Sequence, residues 1–200
     1  MLMLAVAAAL QAPVPFDFKG TQLGSTVAEF RALPTQSGQY GPRRAVCTGE
    51  PGAMNWLEPL PPEKEIGVTM CGRVENIGGS WARAWVELTP EYSAAEEYSF
   101  YHDRLFQIAV YPDLVALRVV EDGLIAKFGQ PNRIEQGTFQ TESGALFPQR
   151  VLTWTRGAQV IRMEAPALNT RKMQVLYLDT AITRAVETAV RARRNPVDAM

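Results

Sequence analysis

The chain has 200 residues, of which 46% are hydrophobic and 20% are charged, and its 20 Lys and Arg nearly balance its 21 Asp and Glu. This composition excludes a disordered chain and an integral membrane protein, and near-neutrality removes the basic field that nucleic-acid binders normally use. One His and two Cys leave almost nothing from which to build a zinc site, an iron–sulfur cluster or a His-based triad. We therefore expect no metal, no other cofactor and no nucleic-acid partner.

The N-terminal segment is typical of a secretory signal. Residues 1–10 are apolar but shorter than the ~20 residues that a membrane-spanning helix needs, and Ala7-Ala8-Ala9 fits a cleavage site. The basic residue expected before such a segment is missing, but a cytosolic core helix conflicts with Pro13 and Pro15, which follow at once. We predict a signal peptide over residues 1–12, a periplasmic or secreted protein, and no transmembrane segment in the mature chain.

Cys47 and Cys71 are the only cysteines, and both lie in short apolar stretches separated by a loop rich in Pro and Gly. Two cysteines in an oxidising compartment usually pair. We predict a disulfide between them, which would stabilise the fold by about 3 kcal/mol. Two buried free thiols are the alternative, and the absence of a C-x-x-C motif argues against a redox centre.

The N-terminal half predicts one short helix and four extended segments. The helix covers residues 27–33, with an N-cap in Gly24-Ser25-Thr26 and a stop at Pro34. A hairpin signature, Asn76-Ile77-Gly78-Gly79, separates two of the extended segments. In the last one, alternation places Phe106 on the same face as Ile108 and Val110. The extended segments are residues 16–20, 66–74, 81–88 and 98–111.

The C-terminal half contains the clearest helix, which starts near Pro112 and ends at Gly129 and Pro131. Gly123 inside it costs about 1 kcal/mol relative to Ala. The apolar stripe of this helix has three- and four-residue spacing and consists of Leu117, Val120, Leu124 and Phe128. Strands over 134–141, 151–156, 159–164 and 173–179 follow, and a helix over 181–194 comes last.

Short connections between successive strands favour antiparallel pairing, because a parallel step needs a crossover of about a dozen residues. The fold class predicted from this order is α+β: an antiparallel β-sheet with helices packed on one face, built from two similar helix-plus-sheet units. We expect one domain over residues 13–194 and a frayed tail over 195–200.

Several short motifs carry a resemblance to known proteins. They are Phe18-Lys19-Gly20 with Leu23-Gly24-Ser25 before a helix, the stretch 100–108, the helix end 126–131, and the strands 151–157 and 175–179. Together they resemble small exported bacterial proteins, most without an assigned function. The units of those proteins are similar to those of the β-lactamase inhibitor protein and of small outer-membrane-assembly lipoproteins. The anchoring Cys of the lipoproteins is absent here. The resemblance implies a fold and an export route, and it transfers no catalytic residue.

Candidate catalytic groups are few. His102 is flanked by Asp103, but neighbours on a strand point to opposite faces, and the chain has no G-x-S-x-G elbow, so a surface or turn His is favoured. The acidic pairs Glu96-Glu97 and Glu121-Asp122 are adjacent residues that rarely converge on one ion, and we expect solvated charges.

The most informative motif is Trp81-Ala82-Arg83-Ala84-Trp85. On a strand, Trp81, Arg83 and Trp85 share one face, and Arg83 is placed to stack between the two indoles. Trp and Arg are enriched in binding hot spots. We predict that these three residues form a binding surface on the outer face of the sheet. The alternative is that a loop, such as the Pro-rich stretch around Trp56, covers them.

These observations favour an exported, non-catalytic module that binds a protein or another envelope component through an exposed sheet face. The chain offers no recognised catalytic constellation, and for that reason we do not expect an enzyme. Two alternatives stay open: a small periplasmic hydrolase whose site has no recognisable motif, and a purely structural component of the envelope.

Overall fold

A computed structural model of the chain describes residues 14–35, 38 and 41–194. The predicted signal peptide (1–12) and the predicted tail (195–200) lie outside the described residues. The helices of the described part are α1 (Val27–Ala32), α2 (Pro61–Glu65), α3 (Leu117–Phe128) and α4 (Thr180–Arg194). None of these four helices is long and apolar enough to cross a membrane.

Most strands coincide with predicted segments, and two of the predicted segments are each divided into two strands. The strands are β1 (Asp17–Phe18), β2 (Thr21–Gln22), β3 (Arg44–Cys47), β4 (Thr69–Ile77), β5 (Ser80–Arg83), β6 (Val86–Thr89), β7 (Tyr92–Tyr101), β8 (Arg104–Pro112), β9 (Arg133–Gln140), β10 (Leu146–Arg156), β11 (Gln159–Ala165) and β12 (Gln174–Asp179). Strand β2 is not predicted, and β7 and β10 begin several residues before the predicted starts.

One antiparallel sheet dominates the structure, and its main path runs in the order β3-β4-β7-β8-β12-β11-β10-β9. Strands β5 and β6 are attached to this path, because β5 pairs with β4 and β6 pairs with β7. Strands β1 and β2 form a separate hairpin. The predicted α+β class with an antiparallel sheet is therefore confirmed, and tight turns join several of the sequential pairs, such as β4–β5, β7–β8 and β10–β11.

Along the main path of the sheet, each half consists of one helix followed by four strands. Helix α1 precedes β3, β4, β7 and β8, with a 3-10 turn, α2, β5 and β6 inserted between them, and helix α3 precedes β9 to β12. The last strand of each half, β8 and β12, pair with each other at the centre. This is the arrangement of two helix-plus-sheet units that the sequence predicts, joined into one sheet.

The helices lie on both faces of the sheet, so the prediction of helices on one face is wrong. Helices α1 and α3 cover one face, where Phe30 and Leu124 pack in the main core with Tyr98. Helix α4 lies against the other face, where Val186 packs with Phe106 in a separate apolar cluster. Helix α4 follows β12 directly, and its apolar residues need a partner that the crowded first face does not offer.

A β-bulge supplies that partner. The register of the β7–β8 pair shifts between Ser99 and Phe100, so that Phe106 of β8 is an extra residue. Simple alternation predicts Phe106 on the face of Ile108 and Val110, and the bulge turns it to the other face. The ring of Phe106 is buried there against α4.

The extended region predicted over 98–111 belongs to two strands, β7 and β8, joined by a tight turn. The turn residues His102 and Asp103 have left-handed backbones, with φ of +48° and +57°. Asp and His adopt this conformation more readily than most residues do. The turn lacks the Gly that usually identifies a tight hairpin turn in a sequence. The Asp103 carboxylate also accepts a hydrogen bond of 2.9 Å from the backbone N of Val27, which ties the turn to the start of α1.

The predicted helix boundaries are confirmed at two ends. The hydroxyl of Thr26 accepts a hydrogen bond from the backbone N of Glu29, and the Glu29 carboxylate accepts one from the backbone N of Thr26, which makes a capping box for α1. Helix α3 ends at Gly129, whose φ of +83° suits a residue without a side chain. Its predicted start near Pro112 is wrong, because Pro112 is the last residue of β8 and the helix begins at Leu117 after a 3-10 turn.

Cys47 and Cys71 form the predicted disulfide. They lie directly opposite each other on β3 and β4, and both are buried in the main core. The segment between them contains α2 and a 3-10 turn (Asn55–Leu57). Leu57 of this turn is fully buried against Val74, so the segment that the disulfide closes covers one end of the sheet.

Candidate functional site

The three predicted binding residues do not lie on one strand. Strand β5 ends at Arg83 and β6 begins only after Trp85, so the single strand predicted for this segment is wrong. Ala84 interrupts it: this residue is 2% exposed, and its backbone N donates a hydrogen bond of 2.9 Å to the Arg73 carbonyl. The chain therefore turns inward at Ala84 and leaves Trp85, which is 44% exposed, at the surface.

Trp81 is covered and does not face solvent freely. The Arg44 guanidinium stacks on its indole, 3.9 Å from the ring centroid. The ring also packs against the apolar cluster that contains Val46 and Val74. Trp81 consequently contributes to the packing of this end of the sheet.

Arg83 is held by two partners on the same face. Its guanidinium lies 3.8 Å from the ring centroid of Trp56 and donates to the Glu97 carboxylate at 2.8 Å. Glu97 also accepts a hydrogen bond of 3.0 Å from the hydroxyl of Tyr111. The predicted stacking of Arg83 between the two indoles of the motif is wrong, because the loop around Trp56 provides its aromatic partner.

A groove of about 810 Å³ opens beside Trp85. It lies in a fork of the sheet, where the β4–β5 ribbon separates from the β6–β7 ribbon. In the main path, β3 lies on one side of β4 and β7 on the other. Val74 of β4 pairs with both β3 and β5, so β5 lies on the same side of β4 as β7. Strands β5 and β6 each have a single pairing partner among the described strands. The fork is therefore flanked by two strand edges that are available for pairing.

The groove carries apolar and acidic side chains together. Its apolar contribution comes from Ile77, Trp85 and Tyr92. Glu87 and Glu91 are exposed at its rim. The charged side chains that line it are Arg43, Glu75, Arg83, Glu87 and Glu91, and Arg83 is already neutralised by Glu97. The rim is thus weakly acidic, which suits a neutral or basic extended segment.

A second, smaller groove of about 280 Å³ lies on the other side of Trp85 and reaches a buried charge cluster. Arg73 donates to the Glu96 carboxylate at 2.6 Å and to the Tyr98 hydroxyl at 2.8 Å, and that hydroxyl donates to Glu96 at 2.7 Å. Glu96 is 2% exposed, so the prediction of a solvated carboxylate at this position is wrong.

The cluster shifts the proton affinity of two of its members. Burial, followed by the Glu96 carboxylate, raises the pKa of the Tyr98 hydroxyl. Burial alone would lower the pKa of Arg73, but Tyr98 and Glu96 raise it above its ordinary value. Each of the three side chains has a hydrogen-bond partner within the cluster, which is what a buried structural ion pair requires.

The other candidate chemical groups are placed far apart. His102 is exposed in the β7–β8 turn, where its ring centroid lies 4.0 Å from that of Tyr101. Glu121 of α3 pairs with Arg150 of β10 at 2.6 Å. Among residues 14–35, 38 and 41–194, no group of three or more His, Cys, Asp or Glu is arranged to hold a metal ion.

The site that emerges is centred on Trp85 alone among the three predicted residues. Arg83 lines the fork groove with Trp85, whereas Trp81 packs in the apolar cluster of Val46 and Val74. The resemblance to exported helix-plus-sheet proteins stays a prediction. No protein-family model, curated protein or solved structure matches the chain.

Proposed function

We propose that this chain is an exported, non-catalytic protein-binding module that takes an extended segment of its partner into the fork groove beside Trp85. The observation that carries the proposal is the groove itself, about 810 Å³ in volume, bounded by two strand edges and by one exposed indole. Its volume falls in the range of about 300–1,000 Å³ that is common for binding sites.

Trp85 is suited to anchor a partner. Its ring is 44% exposed, while Ala84 beside it is buried and fixes the backbone. The Lys172 ammonium lies 5.6 Å from the centroid of the Trp85 ring and limits the ring on one side. A rigidly supported, exposed Trp loses little conformational entropy on binding, which is the property of many hot-spot residues.

The groove favours a polypeptide because its flanks are strands. A strand edge offers backbone N–H and C=O groups that an extended peptide can satisfy, and such pairing provides affinity without requiring a particular sequence. The exposed carboxylates of Glu87 and Glu91 add a preference for Lys or Arg in the partner segment.

Export is part of the same proposal. The Cys47–Cys71 disulfide is compatible with the oxidising periplasm or the cell exterior, where such bonds persist. That the protein has no catalytic activity stays a prediction.

A site-specific crosslinking experiment tests the binding proposal. A photo-reactive amino acid at Glu87 should capture a partner in intact cell envelopes, and mass spectrometry should map the crosslink to an extended segment that carries Lys or Arg. A synthetic peptide of that segment should then bind the purified protein, and Trp85→Ala should weaken this binding more than about tenfold.

Two controls distinguish binding in the fork groove from non-specific binding. Arg118 is exposed on α3 and does not line the fork groove, and the photo-reactive amino acid placed there should not capture the same segment. Val115 is 75% exposed, and Val115→Ala removes an exposed apolar side chain without touching the groove. If the peptide binds Trp85→Ala and the native protein equally well, the fork groove is not the binding site.

A further inference from the structure

A third groove, of about 400 Å³, opens onto the main core and is distinct from the fork groove, although both include residues of β6. Its walls come from helix α3, from β6 and from the β1–β2 hairpin. Its floor is the centre of the sheet, where Val110 of β8 meets Val175 and Tyr177 of β12. The inference drawn from it is independent of the function proposed above.

The interior of this groove is apolar. The floor residues Val110, Val175 and Tyr177 are buried side chains of the main core. The walls add further apolar groups, which are Phe18, Leu88, Val120, Leu124 and Phe128. Contact with hydrocarbon is therefore favourable throughout the depth of the groove, at about 25 cal/mol for each Å² of apolar surface removed from water.

Gly123 keeps the groove open on the side of α3. A glycine inside a helix costs about 1 kcal/mol relative to alanine. Nothing else in the structure requires it, because a Cβ at this position would have no atom within 4 Å and the backbone is not in the left-handed region. Gly123 lines the groove, so any larger side chain there would project into the open space.

The mouth of the groove is positively charged. Lys127 donates to the Asp17 carboxylate at 2.7 Å, which neutralises one of the two lysines at the rim. Lys19, the second, is exposed and forms no ion pair with any residue that the structure describes. The rim therefore carries one uncompensated ammonium group above an apolar floor.

Tyr177 adds a polar group at the floor. It is 4% exposed and lies among the lining residues, and within the described part of the chain its hydroxyl has no hydrogen-bond partner. Burial, followed by the nearby Asp17 carboxylate, raises the pKa of this hydroxyl, so it is a neutral donor at physiological pH.

From these features we infer that the groove binds a small amphiphile with a single hydrocarbon chain and an anionic head, of the class of a fatty acid. The chain would lie along Val110 and Val175, with the head near Lys19. The volume of about 400 Å³ is near the lower end for ligand sites, which fits one short chain and excludes a two-chain phospholipid.

Calorimetric titration with dodecanoate, below its micellar concentration, tests the inference. The native protein should bind one dodecanoate, and dodecyltrimethylammonium, which has the same chain and a cationic head, should bind at least tenfold more weakly. Gly123→Leu should lower the dodecanoate affinity at least tenfold, because the leucine occupies the groove. Lys19→Gln should weaken dodecanoate severalfold and leave the binding of dodecanol unchanged.

Ala126→Leu is the matched control, since Ala126 is an exposed residue of the same helix outside the groove. Its affinity for dodecanoate should equal that of the native protein. Circular dichroism should show that Gly123→Leu folds, as expected for the removal of a helix glycine.

Three results would each overturn the inference. The first is that the native protein does not bind dodecanoate, and the second is that Gly123→Leu binds it with native affinity. The third result is that the native protein sediments with phosphatidylglycerol vesicles and that Gly123→Leu does not reduce this sedimentation. The last result would indicate a membrane surface as the ligand in place of a single free amphiphile.

Discussion

Arg73 places a positive charge inside the molecule, where an unpaired charge costs several kcal/mol. The Glu96 carboxylate and the Tyr98 hydroxyl surround its guanidinium, and the rings of Phe30 and Tyr98 lie within 4.9 and 5.3 Å of it. The arrangement holds α1 against the sheet, because Phe30 belongs to that helix. Glu97, which follows Glu96 on β7, points to the opposite face of the sheet. It pairs there with Arg83 in a position that water reaches more easily.

Glu96→Gln should lower the free energy of unfolding by about 3 kcal/mol, because it leaves the Arg73 charge buried without a counter-charge. Urea denaturation followed by fluorescence measures the change. Glu97→Gln is the control on the same strand, and it should cost about 1 kcal/mol or less, since water reaches the Arg83–Glu97 pair. Equal losses in the two variants would show that burial of the Arg73 pair does not determine its contribution.

At the level of the elements, the position of the 3-10 turn at Asn55–Leu57 depends on a glycine in the strand that it covers, Gly72 of β4. The Trp56 ring lies against β4 at Gly72, where a Cβ would be 2.5 Å from the ring. The same ring supports Arg83 of β5. Gly72 therefore allows the loop closed by the disulfide to approach the sheet and to hold the base of the fork groove.

Gly72→Ala should destabilise the fold by about 1–3 kcal/mol, the usual cost of inserting a methyl group into a closely packed site. Thermal and urea denaturation measure the loss, and displacement of the indole should change the fluorescence of Trp56. Gly137 of β9 is the matched strand glycine: its Cβ would make only ordinary contacts, the nearest at 3.5 Å. Gly137→Ala should be neutral or stabilising by up to about 1 kcal/mol. A neutral Gly72→Ala would mean that Trp56 can move without cost.

Across the whole molecule, three tyrosines in the central strands respond to pH in the same direction. Burial is the main cause that raises the pKa of Tyr98, Tyr111 and Tyr177, and neighbouring carboxylates add to it. The folded protein thus retains these three protons above the pH near 10 at which the unfolded chain releases them. Their contribution to stability is complete below about pH 10 and is lost as the pH rises further.

The free energy of unfolding should therefore fall steeply above about pH 10. Absorbance at 295 nm should show these tyrosines ionising together with the unfolding transition. Tyr177→Phe loses no hydrogen bond to the described part of the chain, and it should reduce the alkaline slope by about a third. An unchanged slope in this variant, or ionisation of all the tyrosines in the native state, would contradict the assignment.

The amino-acid sequence by itself determined most of the strands, the N-cap of α1, the C-cap of α3, and the pairing of the only two cysteines. The two caps depend on neighbours along the chain: Thr26 needs only Glu29, and Gly129 needs only its own backbone freedom. Only the tertiary structure decided which side chains meet across the sheet. The bulge that turns Phe106, the inward step at Ala84, and the placement of Trp56 between Gly72 and Arg83 all depend on strands that are distant in sequence, and strand periodicity carries no information about them. For the same reason Trp85 emerged as the exposed residue and Trp81 as a covered one.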